Sequence, residues 1–212
     1  MRDGFTAFPS ALHGKRINTF LCPSDAQFGS LNGVKPIINT PTAPVLAVSN
    51  YLGVFSGLND GETQVEPVER MGAFRMNTGR RYAEFSDGLS NSIVMVEYLR
   101  GDTNDSRGWF YTNRASSQYI HATNTPNSSN PENLLNHIQW CGAGSPGSQP
   151  AKNLPCVPGN TDFNFASARS RHPNGVQVVL ADGAVRFATN NINLTTWRNL
   201  HWIGDGSAIG DW

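Results

Sequence analysis

Apolar and polar positions alternate most clearly near the C-terminus. Val176-Gln177-Val178-Val179-Leu180-Ala181 runs to Asp182-Gly183, and Ala184-Val185-Arg186-Phe187-Ala188 returns. An Asp-Gly pair suits a two-residue type I′ turn, whose central residues both need positive φ. That turn predicts Leu180 opposite Val185 and Val178 opposite Phe187. One face is then wholly apolar, with Gln177 and Arg186 on the other. Residues 92–99 form the strongest strand of the first half. Val94, Val96 and Tyr98 line one face, and Ile93, Met95 and Leu99 the other. Both faces are apolar, which predicts a central strand covered on both sides. Glu97 falls in the second set, where a carboxylate is costly unless it is paired.

The remaining pattern is weaker. Residues 17–22 read as a strand ended by Pro23, and 31–44 as a Pro/Thr/Asn loop. Residues 45–55 are β-prone with Gly53 interrupting, and 56–69 read as a polar loop. Ser86-Asp87-Gly88-Leu89-Ser90-Asn91 is a turn cluster with two Asx-type caps. Residues 108–111 make a short aromatic strand. From 113 to 164 periodicity disappears into Ser, Asn, Gly and Pro, with a short helix predicted at 131–138. This stretch reads as an irregular loop insertion. Leu194, Trp197 and His201 share one side of a short helix with Asn193 as its cap. The glycine-rich tail ends on Trp212, which is expected to dock. The pattern predicts an antiparallel sheet containing the 176–188 hairpin, with the 92–99 strand central.

Composition narrows this further. At 212 residues the chain is one domain by size, 1–212. Sixteen basic residues balance sixteen acidic ones, so no field favours nucleic acid or an anionic membrane. Only 15% of residues are charged, while Asn, Ser, Thr, Gly and Pro abound, a balance common in secreted proteins. No apolar run approaches the ~20 residues of a membrane helix. No h-region follows Met1-Arg2-Asp3-Gly4-Phe5, so no export signal is visible. Cys141 and Cys156 lie in a Gly/Pro/Ser-rich stretch where a cross-link helps most. A bridge there is expected to contribute about 3 kcal/mol. Cys22 is then left over, and no cysteine has a Cys or His at zinc-ligand spacing.

Four blocks carry a resemblance. Phe20-Leu21-Cys22-Pro23-Ser24-Asp25 is the first, and Ser49-Asn50-Tyr51-Leu52-Gly53 the second. Asp87-Gly88-Leu89-Ser90-Asn91-Ser92-Ile93, followed by Glu97, is the third. Ser170-Arg171-His172-Pro173-Asn174-Gly175 leads to Asp182-Gly183, so that His172 is followed by nine residues and then Asp-Gly. In this order they resemble DUF1559, a bacterial family with prepilin-type processing that is abundant in planctomycetes. The resemblance implies an α+β, pseudopilin-like head, a predominantly antiparallel sheet with long irregular surface loops and few short helices, and a cell-surface or extracellular subunit. Its partners would be like or related pilin-type subunits. The membrane would be reached only through an N-terminal helix that this chain does not show. No enzymatic activity comes with the family, and no catalysis is expected.

Sharper chemistry competes with this reading. A Ser/His/Asp hydrolase would use His172 as base, Asp182 to orient it, and Ser170 or Ser90 as nucleophile. There is no Gly-x-Ser-x-Gly elbow, however, and Asp182 already has a turn to serve. About six extended residues, ~20 Å, separate the two side chains, so each is expected to act structurally. No cofactor is expected apart from calcium, which related pseudopilins can hold in C-terminal loops. Its candidate ligands are Asp205, Asp211, Asp87 and Asp25, without any Asp-x-Asp-x-Asp array. Trp109, Phe110 and Tyr111 could stack on a sugar, which keeps a secreted ligand-binding module as the alternative function. The Asn-x-Ser/Thr triplets at Asn104, Asn127 and Asn193 carry no weight in a bacterial chain.

Overall fold

The computed structural model describes residues 14–25, 34–36, 45–101, 105–109, 112–137, 140–142, 147–160, 162–207, 209–210 and 212. Its elements in chain order begin with β1 (Val34–Pro36), β2 (Val45–Ala47), β3 (Tyr51–Val54) and α1 (Asp60–Val65). They continue with β4 (Ile93–Glu97), β5 (Tyr119–Ile120), β6 (Glu132–Leu135) and β7 (Cys156–Gly159). The last are β8 (Gly175–Leu180), β9 (Val185–Thr189) and α2 (Leu194–His201). The main sheet has the order β5-β3-β4-β8-β9, and every pairing in it is antiparallel except β3 with β5. This is the expected α+β architecture, with β4 at the centre. No helix among the described residues is long and apolar enough to cross a membrane.

Strand β4 is covered on one face, not two. A bulge between Ile93 and Met95 inserts Val94 against β8 and shifts the alternation. Ile93, Val96 and Tyr98 are therefore fully buried together, while Val94 and Met95 are only half-buried. The covered face packs Leu52, Val54, Val176, Val178 and Leu180 against Trp197 and Leu200 of α2. Asn193 caps that helix by accepting from the Thr195 and Thr196 amides, as expected. Trp212 packs on the same core, with the Arg186 guanidinium 5.3 Å from its ring centre.

The β8–β9 hairpin forms, but in a different register. Val179 pairs with Val185, Val178 with Arg186, and Gln177 with Phe187. Gly183 N donates to Leu180 O, and Leu180 N to Ala184 O, so the loop holds three residues. Gly183 alone takes positive φ, at 88°, and Asp182 holds the loop by accepting from Ala184 N. The one-residue change moves Val185 and Phe187 to the open side of the sheet, where Gln177 and Val179 lie.

Other expectations change for local reasons. Residues 17–22 form no strand: Asn18–Phe20 and Pro23–Asp25 are short 3₁₀ turns tied to Asn50. Within 31–44 the three described residues are strand β1, paired with β2. The polar stretch 56–69 contains α1, because Asn59 accepts from Glu62 N and Glu62 reaches back to Leu58 N. The helix predicted at 131–138 is instead β6, parallel to β7. Trp109 makes one bridge to Val48, and 110–111 lie outside the described residues. Leu134, Trp140, Leu154, Ala166 and Ala168 enter the core, so the region from 113 onward closes the covered face.

Cys141 and Cys156 form a disulfide across 15 residues, and Cys22 is free and buried. Thiol titration of the denatured, unreduced chain is expected to find one group; three would exclude the bridge. Reduction is expected to lower stability by about 3 kcal/mol, read as the shift in urea midpoint.

A candidate site where four sequence blocks converge

Residues of the first, second and fourth blocks, with Glu97 of the third, come together at one end of β4. Asn50, just before β3, is the hub. Its Oδ1 accepts from Cys22 N at 3.0 Å, and its Nδ2 donates to Asp25 Oδ2 at 2.7 Å and Tyr98 O at 2.9 Å. Asp25 is almost fully buried, and accepts from Arg100 N and Nε at Oδ2 and from Arg171 Nε at Oδ1. The two guanidinium groups supply the hydrogen bonds and counter-charge that a buried carboxylate requires. The loop entering β8 is fixed separately. Ser170 Oγ donates to Gly175 O at 2.6 Å and accepts from His172 N at 3.0 Å.

These anchors deliver three side chains to one spot. Tyr51 and Glu97 are register partners, so they share the open side of the sheet. Glu97 is 2% exposed; its Oε2 accepts from Gln177 N at 2.7 Å and its Oε1 lies 3.1 Å from His172 Nε2. The same Nε2 lies 3.8 Å from Cys22 Sγ, which is 3.0 Å from Ser24 Oγ. The Tyr51 phenol is pushed up to about 12, first by burial and then by the adjacent Cys22 and Glu97. It therefore stays protonated and able to donate at neutral pH.

The arrangement is not a hydrolytic relay. A triad needs the carboxylate on one ring nitrogen and the nucleophile on the other. Here Glu97 and Cys22 meet the same nitrogen. His172 and Asp182 belong to opposite ends of β8, and Ser170 Oγ is engaged with backbone at both of its contacts. Ser90 is exposed in the 3₁₀ turn Leu89–Asn91, at the far end of the sheet from His172.

Of the calcium candidates, Asp87 and Asp205 come together and Asp25 lies apart from them. Asp25 is held by arginines. Asp87 accepts from the Asp205 and Gly206 amides, pinning the tail, and Asp205 accepts from Ser207 N. Asp211 lies outside the described residues. Gly88 takes positive φ ahead of the Leu89–Asn91 turn, and Asn91 donates to Asp87 O, so this block serves the turn. Trp109 is 1% exposed and packed edge-on against Trp140, which leaves it no face for a sugar; Phe110 and Tyr111 lie outside the described residues.

The family described as "Protein of unknown function (DUF1559)" matches residues 3–195. The chain belongs to this family. No curated protein and no solved structure matches it. The DUF1559 match spans every residue of the convergent site as well as Asp182 and Gly183. Cys22, Pro23, Glu97 and His172 are thus one spatial unit, whereas Asp87, Gly88, Ser90 and Asn91 belong with the tail.

Proposed function

We propose that the chain is the globular head of a pilin-like, cell-surface or secretion-system subunit that acts by assembly and performs no catalysis. The observation that supports this reading is the open side of the main sheet. A groove of about 340 Å³ runs along it, lined by Thr19, Phe20, Tyr51, Met95, Gln177, Val179 and Val185. Beside it Val185 is 63% exposed and Phe187 40% exposed. A sheet face of this composition is stabilised by a second layer, and an apolar helix is the natural one. In a pilin-type assembly that helix comes from the N-terminal part of the same or a neighbouring subunit, and Thr19 and Phe20 bring the chain to the groove from that direction. The convergent site then fixes the entry segment to the sheet.

The genomic sequence upstream of Met1 tests the class directly. A leader ending in Gly, followed by an apolar run beginning Phe-Thr-Leu-Ile-Glu or similar, is the expected result; a cleavable secretory signal would favour a ligand-binding module instead. The surface is tested by Val179→Asp combined with Val185→Asp in the chain carrying its natural upstream sequence. Both positions are half-buried or exposed, so folding should change by less than about 1 kcal/mol, while recovery in sheared surface filaments or membrane complexes should be lost. Unchanged assembly would overturn the assignment of this face.

A further inference from the structure

The cluster of Cys22, Glu97 and His172 has a property that hydrogen bonding does not exhaust. One thiol sulfur, one carboxylate oxygen and one imidazole nitrogen lie within 4.8 Å of one another. Glu97 is almost completely buried, and its one ion-pair partner among the described residues is His172, which carries charge only when protonated.

We infer that Cys22, Glu97 and His172 bind a single thiophilic divalent transition metal, zinc by the character of the donors. Sulfur, nitrogen and oxygen at zinc's bond lengths stand about 3.3 Å (N to O) and about 3.6 Å (N to S) apart on a tetrahedron. The separations here are 3.1 and 3.8 Å. The third separation, sulfur to oxygen, is within 4.8 Å against about 3.6 Å on the tetrahedron, so a shift of at most about an ångström converts the hydrogen-bonded cluster into a ligand set. Calcium is excluded by the same inventory, since it requires six or more oxygens and the cluster offers one.

The surroundings are those of an oriented site. Gln177 N fixes the second oxygen of Glu97, and Asn50 fixes the backbone of Cys22. Ser170 fixes the backbone of His172. Such outer contacts set the direction of first ligands before the metal arrives. His172, whose side chain is 32% exposed, and the exposed Ser24 border the cluster and leave it open to a fourth ligand. Water or a partner's donor completes the tetrahedron there. On loading, the thiol proton leaves to solvent, and thiolate, carboxylate and the divalent cation sum to no net charge.

The disulfide makes this site unusually easy to test. The chain has three cysteines, and Cys141 and Cys156 are bonded to each other, so any metal–thiolate signal must come from Cys22. The chelator-stripped full chain, with the disulfide intact, is titrated with cobalt(II) and then with zinc(II). One equivalent of cobalt is expected to give a tetrahedral visible spectrum with a thiolate-to-cobalt charge-transfer band, and one equivalent of zinc to abolish it. His172→Gln should weaken zinc binding more than about 100-fold, beyond the 10–100-fold that outer-shell residues cost, and Cys22→Ser should lose the charge-transfer band. His172 is partly exposed, so its variant reports even where Cys22→Ser does not fold. Absence of the band in the unsubstituted chain, or zinc affinity unchanged in His172→Gln, would overturn the assignment.

Discussion

Glu132→Gln is expected to lower unfolding free energy by about 3–5 kcal/mol at neutral pH, because it leaves a buried guanidinium without its counter-charge. Arg169 and Glu132 are both 0% exposed, with Arg169 Nε 2.7 Å from Glu132 Oε1. Tyr98 Oη donates to the other carboxylate oxygen at 2.7 Å, and Ser167 N donates to the first. Replacing a buried ion pair by apolar residues of equal volume is often harmless. Here it should not be. Arg169 also donates to Ser128 O, Asn130 O, Asn153 O and Asn153 Oδ1, so an apolar residue would orphan acceptors on two segments. The double variant Glu132→Leu, Arg169→Met is therefore expected to remain destabilised by at least about 2 kcal/mol, with each abandoned acceptor adding to the cost. Urea unfolding of both variants decides this: a double variant as stable as the parent would show that the network fixes nothing.

That network explains why 113–164 could not be read from apolar periodicity. Its order comes from arginines reaching backbone carbonyls. Arg107, also fully buried, pairs with Asp105 and donates to Leu154 O and Gly147 O. Such contacts leave no 2- or 3.6-residue repeat, so a stretch rich in Asn and Gly looks like decoration while it closes the core. The α1 helix lies in a stretch whose composition reads as a polar loop, yet its start is marked. Asn59 followed three residues later by Glu62 is a start signal that outweighed the polar composition around it.

The hairpin shows a different limit. Its existence followed from alternation and Asp182-Gly183, but a two-residue turn and a three-residue loop use the same pair. In the second only Gly183 needs positive φ. The candidate site was half legible: the four blocks named its residues without showing that they meet. Cys22 and His172 are 150 residues apart, and local ligand spacing cannot detect such a pair. The register of Tyr51 against Glu97 creates the site, and register is fixed by the whole sheet rather than by either block.

Acidification from pH 7 to pH 5 is expected to cost about 4 kcal/mol through His121 and His201 together. Both are fully buried. Burial lowers His121 to about 3, with repulsion from His201 adding to it, and burial lowers His201 to about 4 against the opposing bond to Trp197 O. Each ring donates a single N–H to a fixed acceptor. His201 Nδ1 lies 2.8 Å from Trp197 O, which can only accept, and His121 Nε2 lies 2.8 Å from Thr63 Oγ1, whose hydroxyl is directed to Ser56 O. The other nitrogen of each ring has no partner among the described residues, so a second proton would have no acceptor. Arg198, bonded to Ala122 O and Thr123 O beside His121, adds a like charge. The sign follows directly. Both folded values lie below the unfolded 6.5, so the unfolded chain takes up protons first as pH falls. The stability is complete above 6.5, and is lost progressively on the way down to 4 and then 3. Asp60, which neighbours Tyr119 and has its carboxyl pushed up by burial, works in the opposite direction. The histidine share is therefore read by difference. His201→Gln should lower stability at pH 7 yet remove about half of the pH dependence between 7 and 5. Urea midpoints that do not move with pH in the parent, or that move equally in parent and variant, would show that these histidines do not set the acid limit of the fold.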